Sequence, residues 1–331
     1  MKYVAIENIR PGDTLAVTIF SECSILLTAN SVLTERNIDR ITALGFSGLY
    51  IYDGANDTVC KDLLTDSIRQ KALRDLKHIN IDECLYIASI ITNRVLANEN
   101  MLYEIADICD YDTKTYIHCI NVAVLATMIG IDMRLNNDAL YELAQAALLH
   151  DIGKVCIDEK ILNKKGKLTD DEFATMKLHP VYGCNILRSN GTISERVCEG
   201  VLHHHENEDG SGYPKQLKGS EIPLFAKIIH VADVYDAMVS KRSYKERINP
   251  ADVLEYIMGN TTKFDFKAVE ALTHCVSLYP VGSEVLLSDG TKATVRNNVK
   301  GCPQRPDVKL EDGTVLRLID KLDMTITSLL T

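Results

Sequence analysis

From roughly residue 61 to 275, apolar side chains return at the three- and four-residue spacing of a helix, with few strand signals between them. Leu63, Ile68, Leu73 and Leu76 form one stripe. Ile117, Ile120, Val124 and Met128 form a second, and Leu140, Leu143, Ala144, Ala147 and Leu148 a third. Thr169-Asp170-Asp171-Glu172 reads as a capping box, in which each side chain satisfies a backbone N–H that the first turn leaves unpaired. Such a run predicts helices packed on helices.

The flanks change period. Pro11-Gly12-Asp13 is a turn, 15–20, 24–27 and 49–52 read as short strands, and Thr34 opens a helix that runs to Leu44 and stops at Gly45. After Tyr279, strands are expected at 283–287, 294–297, 308–311 and 315–319, with hairpin turns at Ser288-Asp289-Gly290 and Glu311-Asp312-Gly313. The expected fold is mainly α: a helical bundle flanked by small β-rich N- and C-terminal units. Boundaries are expected at 1–58, 59–276 and 277–331, the last a barrel-like antiparallel unit.

Composition narrows the function. With 46% hydrophobic and 25% charged residues, the chain is not of the disordered or fibrous kind. A net charge of −10 disfavours wrapping duplex nucleic acid through its phosphates. A small anion can still bind where positive charge is concentrated. Ten cysteines without a CxxC pair predict reduced thiols rather than a disulfide framework. No apolar signal core follows Met1, and the longest nearly uncharged apolar stretch, 122–131, is about half a membrane span. A cytoplasmic protein with no membrane span is expected.

Six of the nine histidines fall between 118 and 205. His118 lies on a helix, and His150-Asp151 sits where the next one ends. His179 precedes Pro180, a helix boundary. His203-His204-His205-Glu206 ends another helix, and Asp233 lies in an apolar helical segment. Taken singly, His118 or His179 reads as an ordinary core or surface histidine. Together the set is a donor collection of imidazole and carboxylate, suited to Fe, Mn, Zn or Ni. Seven candidate ligands exceed the needs of one tetrahedral ion and suit two ions bridged by a carboxylate. Such a pair holds a hydroxide and stabilises both the attacking and the leaving oxygen in phosphoryl displacement.

The motifs are specific. His150-Asp151-Ile152-Gly153-Lys154 matches an HD motif followed by Gly-Lys. His204-His205-Glu206-Asn207-Glu208-Asp209-Gly210-Ser211-Gly212-Tyr213-Pro214 matches the HHExxDGxGYP signature. Val231-Ala232-Asp233-Val234-Tyr235-Asp236-Ala237 matches the last metal motif, and Ser240-Lys241-Arg242-Ser243-Tyr244 resembles SDRPY. Over roughly residues 100 to 275 the chain resembles the HD-GYP family of cyclic di-GMP phosphodiesterases.

That resemblance implies that His118, His150, Asp151 and Asp233 hold one divalent ion and that His179, His204 and His205 hold the other, with Asp151 bridging. Iron and manganese lead as the metals. Asp151 and Lys154 take the catalytic roles. Lys154 and Arg242 contact substrate phosphates, Lys245 is a further candidate, and Gly212, Tyr213 and Pro214 shape the site or bind a partner. The implied reaction is hydrolysis of cyclic di-GMP to linear pGpG by a metal-bridged hydroxide, with onward cleavage to GMP left open. A third metal site in some members uses a Glu four residues before the first histidine. Lys114 stands there in this chain, so two metals are expected. Two alternatives stay open: a catalytically silent cyclic-dinucleotide receptor or adaptor, and an HD phosphohydrolase acting on another nucleotide. A diguanylate cyclase or other signalling protein, and a second copy of the chain, remain open as partners. His203 is expected beside the site or in solvent, and His230, one turn before Asp233, beside the site or on an ordinary helix face.

Overall fold

In the computed structural model the described residues are 2–46, 48–52, 63–98, 101–103, 108–109, 111–164, 166–240, 242–243, 246–247, 250–279 and 281–330. The N-terminal elements are β1 (Lys2–Ala5), β2 (Ile19–Ser21), β3 (Ser24–Leu27), α1 (Glu35–Ala43) and β4 (Gly48–Ile51). α1 starts at Thr34, whose hydroxyl accepts from Asn37 N while the Asn37 side chain accepts from Thr34 N. The strand expected over 15–20 pairs only from Ile19. Leu15 makes an isolated bridge to Ile51 instead. β1 pairs with β4, and Ile9, Leu15, Ile19, Leu33, Ile41, Phe46, Leu49 and Ile51 make a small core of their own.

The helical part comprises α2 (Asp66–Lys77), α3 (Ile81–Leu96), the short strand β5 (Ile108–Cys109), α4 (Tyr111–Asp132), α5 (Asn137–Leu149), α6 (Glu159–Leu162), α7 (Asp170–Met176), α8 (His179–Asn190), α9 (Glu195–His203) and α10 (Leu224–Val239). The two-residue strands β6 (Arg242–Ser243) and β7 (Glu246–Arg247) follow, then α11 (Pro250–Gly259) and α12 (Phe266–Cys275). β5 adds to β2 in parallel, so the N-terminal unit reaches the start of the bundle. Cys23 N also donates to the Thr113 hydroxyl at 3.1 Å.

α4 is apolar nearly all round, which makes it a core helix. It packs against α2, α3, α5, α10 and α12. Its stretch Thr113–Asp132 is long and apolar enough to cross a membrane, twice the length the sequence pattern indicated, yet 72% of that window is buried by the rest of the protein. Each fully buried Leu or Ile there contributes about 1.5–3 kcal/mol relative to exposure.

The C-terminal strands are β8 (Glu284–Leu287), β9 (Lys292–Asn297), β10 (Asp307–Leu310), β11 (Val315–Arg317) and β12 (Ile326–Leu330), in the antiparallel order β11-β10-β9-β8-β12. β12 was not anticipated: Ile326-Thr327-Ser328-Leu329-Leu330 lacks strict alternation, and a register shift accompanies its pairing with β8. Val285, Leu287, Val295, Val308 and Leu318 belong to the same buried cluster as the helices. The mainly helical fold with β-rich ends therefore agrees with the pattern in the sequence.

Candidate metal centre

Helix ends build most of the site. His150 caps α5, His179 opens α8 directly after the last turn of α7, and His204 caps α9. The last carbonyls of a helix have no intrahelical partner. Each of these imidazoles uses one: His150 Nδ1–H donates to Ala147 O at 2.7 Å, His179 to Met176 O at 2.8 Å and His204 to Val201 O at 2.7 Å. Committing the proton to Nδ1 leaves the Nε2 lone pair free and aimed inward.

These lone pairs converge. His179 Nε2 and His204 Nε2 face each other at 3.4 Å, although neither carries the proton a hydrogen bond between them would need. His150 Nε2 is buried without a hydrogen-bond partner. Two facing lone pairs and an orphaned buried nitrogen fit a cation between them. The donors of His118, His150 and Asp151 lie within 4.8 Å of one another, and so do those of His179, His204 and His205. Asp151 turns Oδ2 toward His150 Nε2 at 3.4 Å and Oδ1 toward His179 Nε2 at 3.3 Å. Asp233 likewise faces His118 Nε2 with Oδ1 at 2.9 Å and His205 Nδ1 with Oδ2 at 3.8 Å. All seven residues expected as ligands thus meet in one place. This donor set of imidazole and carboxylate suits a divalent transition metal.

The electrostatics separate the donors. Burial pushes the imidazoles of His179, His204 and His205 down, His205 to about 3. Burial opposes protonation of His118 as well, but hydrogen bonds to Asp233 and Asp236 raise it to about 10. Burial also works against the charge on Asp151, yet Lys154, His150 and His179 hold its carboxyl well below the usual range. Asp233 is held low by His118 against the same burial cost.

Lys154, in the 3₁₀ turn Ile152–Cys156, places Nζ 2.5 Å from Asp151 Oδ2 and keeps part of its side chain in solvent. Its partly exposed side chain thus carries the ammonium onto the buried Asp151 carboxylate. Arg242 lies in β6, with only its backbone described, and Lys245 lies outside the described residues. The signature loop folds back on the histidines: Tyr213 N donates to His205 O at 3.1 Å, and the Tyr213 ring lies 4.8 Å from that of His205. Gly212 permits this, since a Cβ there would stand 2.4 Å from Asn207 N.

Three residues around the cluster had no role assigned from the sequence. Glu206 is 2% exposed and accepts from Lys215 N at 2.7 Å and Leu217 N at 3.1 Å, closing the loop. Asp236 accepts from His118 Nδ1–H at 2.7 Å and from the Tyr103 hydroxyl at 3.1 Å. The spacing of Asp236, one turn after Asp233, was the available signal; nothing local marks Tyr103. His203 is not in solvent: it is buried, 3.5 Å from Glu206. His230 is buried too, donating from Nδ1 to His204 O at 2.9 Å and stacking on Phe264.

Residues 93–267 match the family model described as HD domain, more than half of the chain. The chain belongs to the HD-domain family, in the branch marked by the HD-GYP signature. A cyclic di-GMP phosphodiesterase of Pseudomonas aeruginosa is 37% identical over 205 residues, 62% of this chain and 50% of that one. A cyclic di-GMP phosphodiesterase of Thermotoga maritima is 44% identical over 153 residues, 44% of this chain and 42% of that one. A 3′3′-cGAMP-specific phosphodiesterase of Vibrio cholerae is 35% identical over 178 residues, 53% and 34% of the two chains. The chain thus spans about half the length, or less, of these relatives. A solved HDG"Y"P protein of Bdellovibrio bacteriovorus shares the fold, with a TM-score of 0.54 at 16% identity over 82% of this chain and 97% of that one.

Proposed function

We propose that the cluster is the centre of a metal-dependent phosphodiesterase that opens a cyclic dinucleotide, cyclic di-GMP first, to linear pGpG. The observation that carries this reading is the carboxylate of Asp151, which presents one oxygen to His150 and the other to His179. One carboxylate shared between two donor groups suits a pair of ions, and two ions close together can stabilise both the attacking and the leaving oxygen of a phosphoryl displacement.

In this reading His118, His150, Asp151 and Asp233 hold one ion and His179, His204 and His205 the other, both iron or manganese. The ions supply Lewis-acid charge to water and to phosphoryl oxygens. Asp151 stays ionised to serve both groups. Lys154, with Arg242 and Lys245, meets the phosphates of the ring and offsets charge that builds on their oxygens. Gly212, Tyr213 and Pro214 wall the site on the His205 side. Hydrolysis breaks one bond between phosphorus and a 3′ oxygen, which opens the ring. Residues 59–276 carry the catalysis, and 1–58 and 277–331 flank it as accessory units in a cytoplasmic signalling protein. Relatives named for cyclic di-GMP support that substrate, and the one named for 3′3′-cGAMP makes it the first competitor to assay.

The test is chromatographic. Anaerobically purified protein with Mn²⁺ or Fe²⁺ should convert cyclic di-GMP to a linear dinucleotide, and His150→Ala/Asp151→Ala should not. A metal-loaded protein that binds the dinucleotide without turnover would instead be a receptor.

A further inference from the structure

We propose that Asp236 is a positioning residue for His118, held in turn by Tyr103, and that this buried chain sets the affinity of the metal centre. The inference rests on the metal reading above. Its ground is the place of His118 in the fold. His150, His179 and His204 sit at helix ends, where unpaired carbonyls accept from Nδ1. His118 is the eighth residue of α4, Tyr111–Asp132, where the neighbouring carbonyls serve the helix ladder. The orphan carbonyls of α4 lie at its far end, beyond reach of the His118 ring. The acceptor must come from another element, and Asp236 of α10 supplies it at 2.7 Å.

Asp236 is 0% exposed. A carboxylate so deep costs free energy unless both oxygens are satisfied. Oδ2 accepts a hydrogen bond from His118 Nδ1–H, and Oδ1 accepts one from the Tyr103 hydroxyl at 3.1 Å. Tyr103 is itself pinned, its N–H on Cys275 O at 2.7 Å and its carbonyl on Ser277 N at 3.1 Å. With Nδ1 committed, His118 Nε2 points to Asp233 and to the donors of His150 and Asp151. A carboxylate on the far nitrogen also makes the imidazole a stronger donor than a carbonyl would.

The experiment measures Mn²⁺ dissociation constants for full-length wild type, Asp236→Ala, Asp236→Asn and Tyr103→Phe, with the thermal stability of each metal-free protein alongside. Asp236→Ala should bind about 10- to 100-fold more weakly, the range for lost outer partners of a metal ligand. Asp236→Asn keeps an acceptor oxygen and should fall between it and wild type, and Tyr103→Phe should lose least. A purely structural role would lower metal-free stability without moving affinity. If Asp236→Ala fails to fold, the other two variants decide: weaker binding supports the assignment. Wild-type affinity in the folded variants overturns it and leaves the metal reading standing. A wild type that binds no Mn²⁺ overturns both.

Discussion

The backbone of Gly153 lies against His179 so closely that a Cβ on Gly153 would stand 2.0 Å from the His179 carbonyl oxygen and 2.4 Å from Gly183 N. The glycine after the His-Asp pair is thus what lets that turn seat on α8. Both contacts are backbone, so no side chain can rotate away. Gly153→Ala should separate Asp151 from His179 and cost at least the 1–3 kcal/mol typical of overpacking. Urea unfolding would read the first effect and bound metal the second. Wild-type stability together with full metal content would show that the turn tolerates a side chain.

Asp151 and Lys154 are in contact but should fail differently. Asp151→Asn removes the shared acceptor and should lower both metal content and activity, by more than about 100-fold, beyond the range of outer partners. Lys154→Met should leave the metals in place and lower kcat by about 10²–10³, the usual loss for one charge-stabilising donor. Metal analysis beside steady-state kinetics separates the two. Loss of metal in Lys154→Met would mean that the lysine acts through Asp151 alone.

The metal-free protein should be acid-sensitive in a defined window. His179, His204 and His205 are held below the ordinary imidazole value of 6.5 by burial. As pH falls past about 6.5 the unfolded chain takes up these protons before the folded one, so stability drops, by up to about 1.4 kcal/mol per pH unit for each histidine. His118 offsets only part of this loss: its raised value gives stability that is fully present below 6.5 and is lost as pH rises from there through about 10, so the three depressed imidazoles prevail. Asp151 and Asp233, held low, lose theirs only as pH falls below 3.8. Urea midpoints of the chelated protein should therefore fall from pH 7 to pH 5.5. A flat or rising midpoint would contradict the neutral, buried state of the three imidazoles.

Glu206 closes the signature loop through Lys215 N and Leu217 N. Glu206→Ala leaves both N–H groups without their acceptor, at about 1–3 kcal/mol for each one that stays buried. The exposed Lys215 and Lys218 make the change visible as faster tryptic cleavage between 206 and 218. Cleavage at the wild-type rate would mean that the loop is held elsewhere, for instance by Tyr213 on His205.

Much of the site was legible in one dimension because its histidines mark helix ends. His150, His179 and His204 stand beside a terminating glycine, a proline or the close of an apolar stripe, signals set by near neighbours. The same locality explains the failures. The strand over 326–330 depends on β8 far earlier in the chain, and the apolar window over 122–131 did not reveal how far α4 extends.

The amino-acid sequence by itself determined the helical bundle and its caps, since periodicity and capping are properties of adjacent residues, and the resemblance of its motifs singled out the seven candidate donors. Tertiary structure alone decided how the donors face one another. It set Tyr103 on Asp236 across 133 positions and Asp236 on His118 across 118. It brought Gly153 against the His179 backbone and turned the two oxygens of Asp151 to opposite groups. Carbonyls three residues back orient His150, His179 and His204 locally, but which buried side chains face each other across elements follows from the packing of segments distant in sequence.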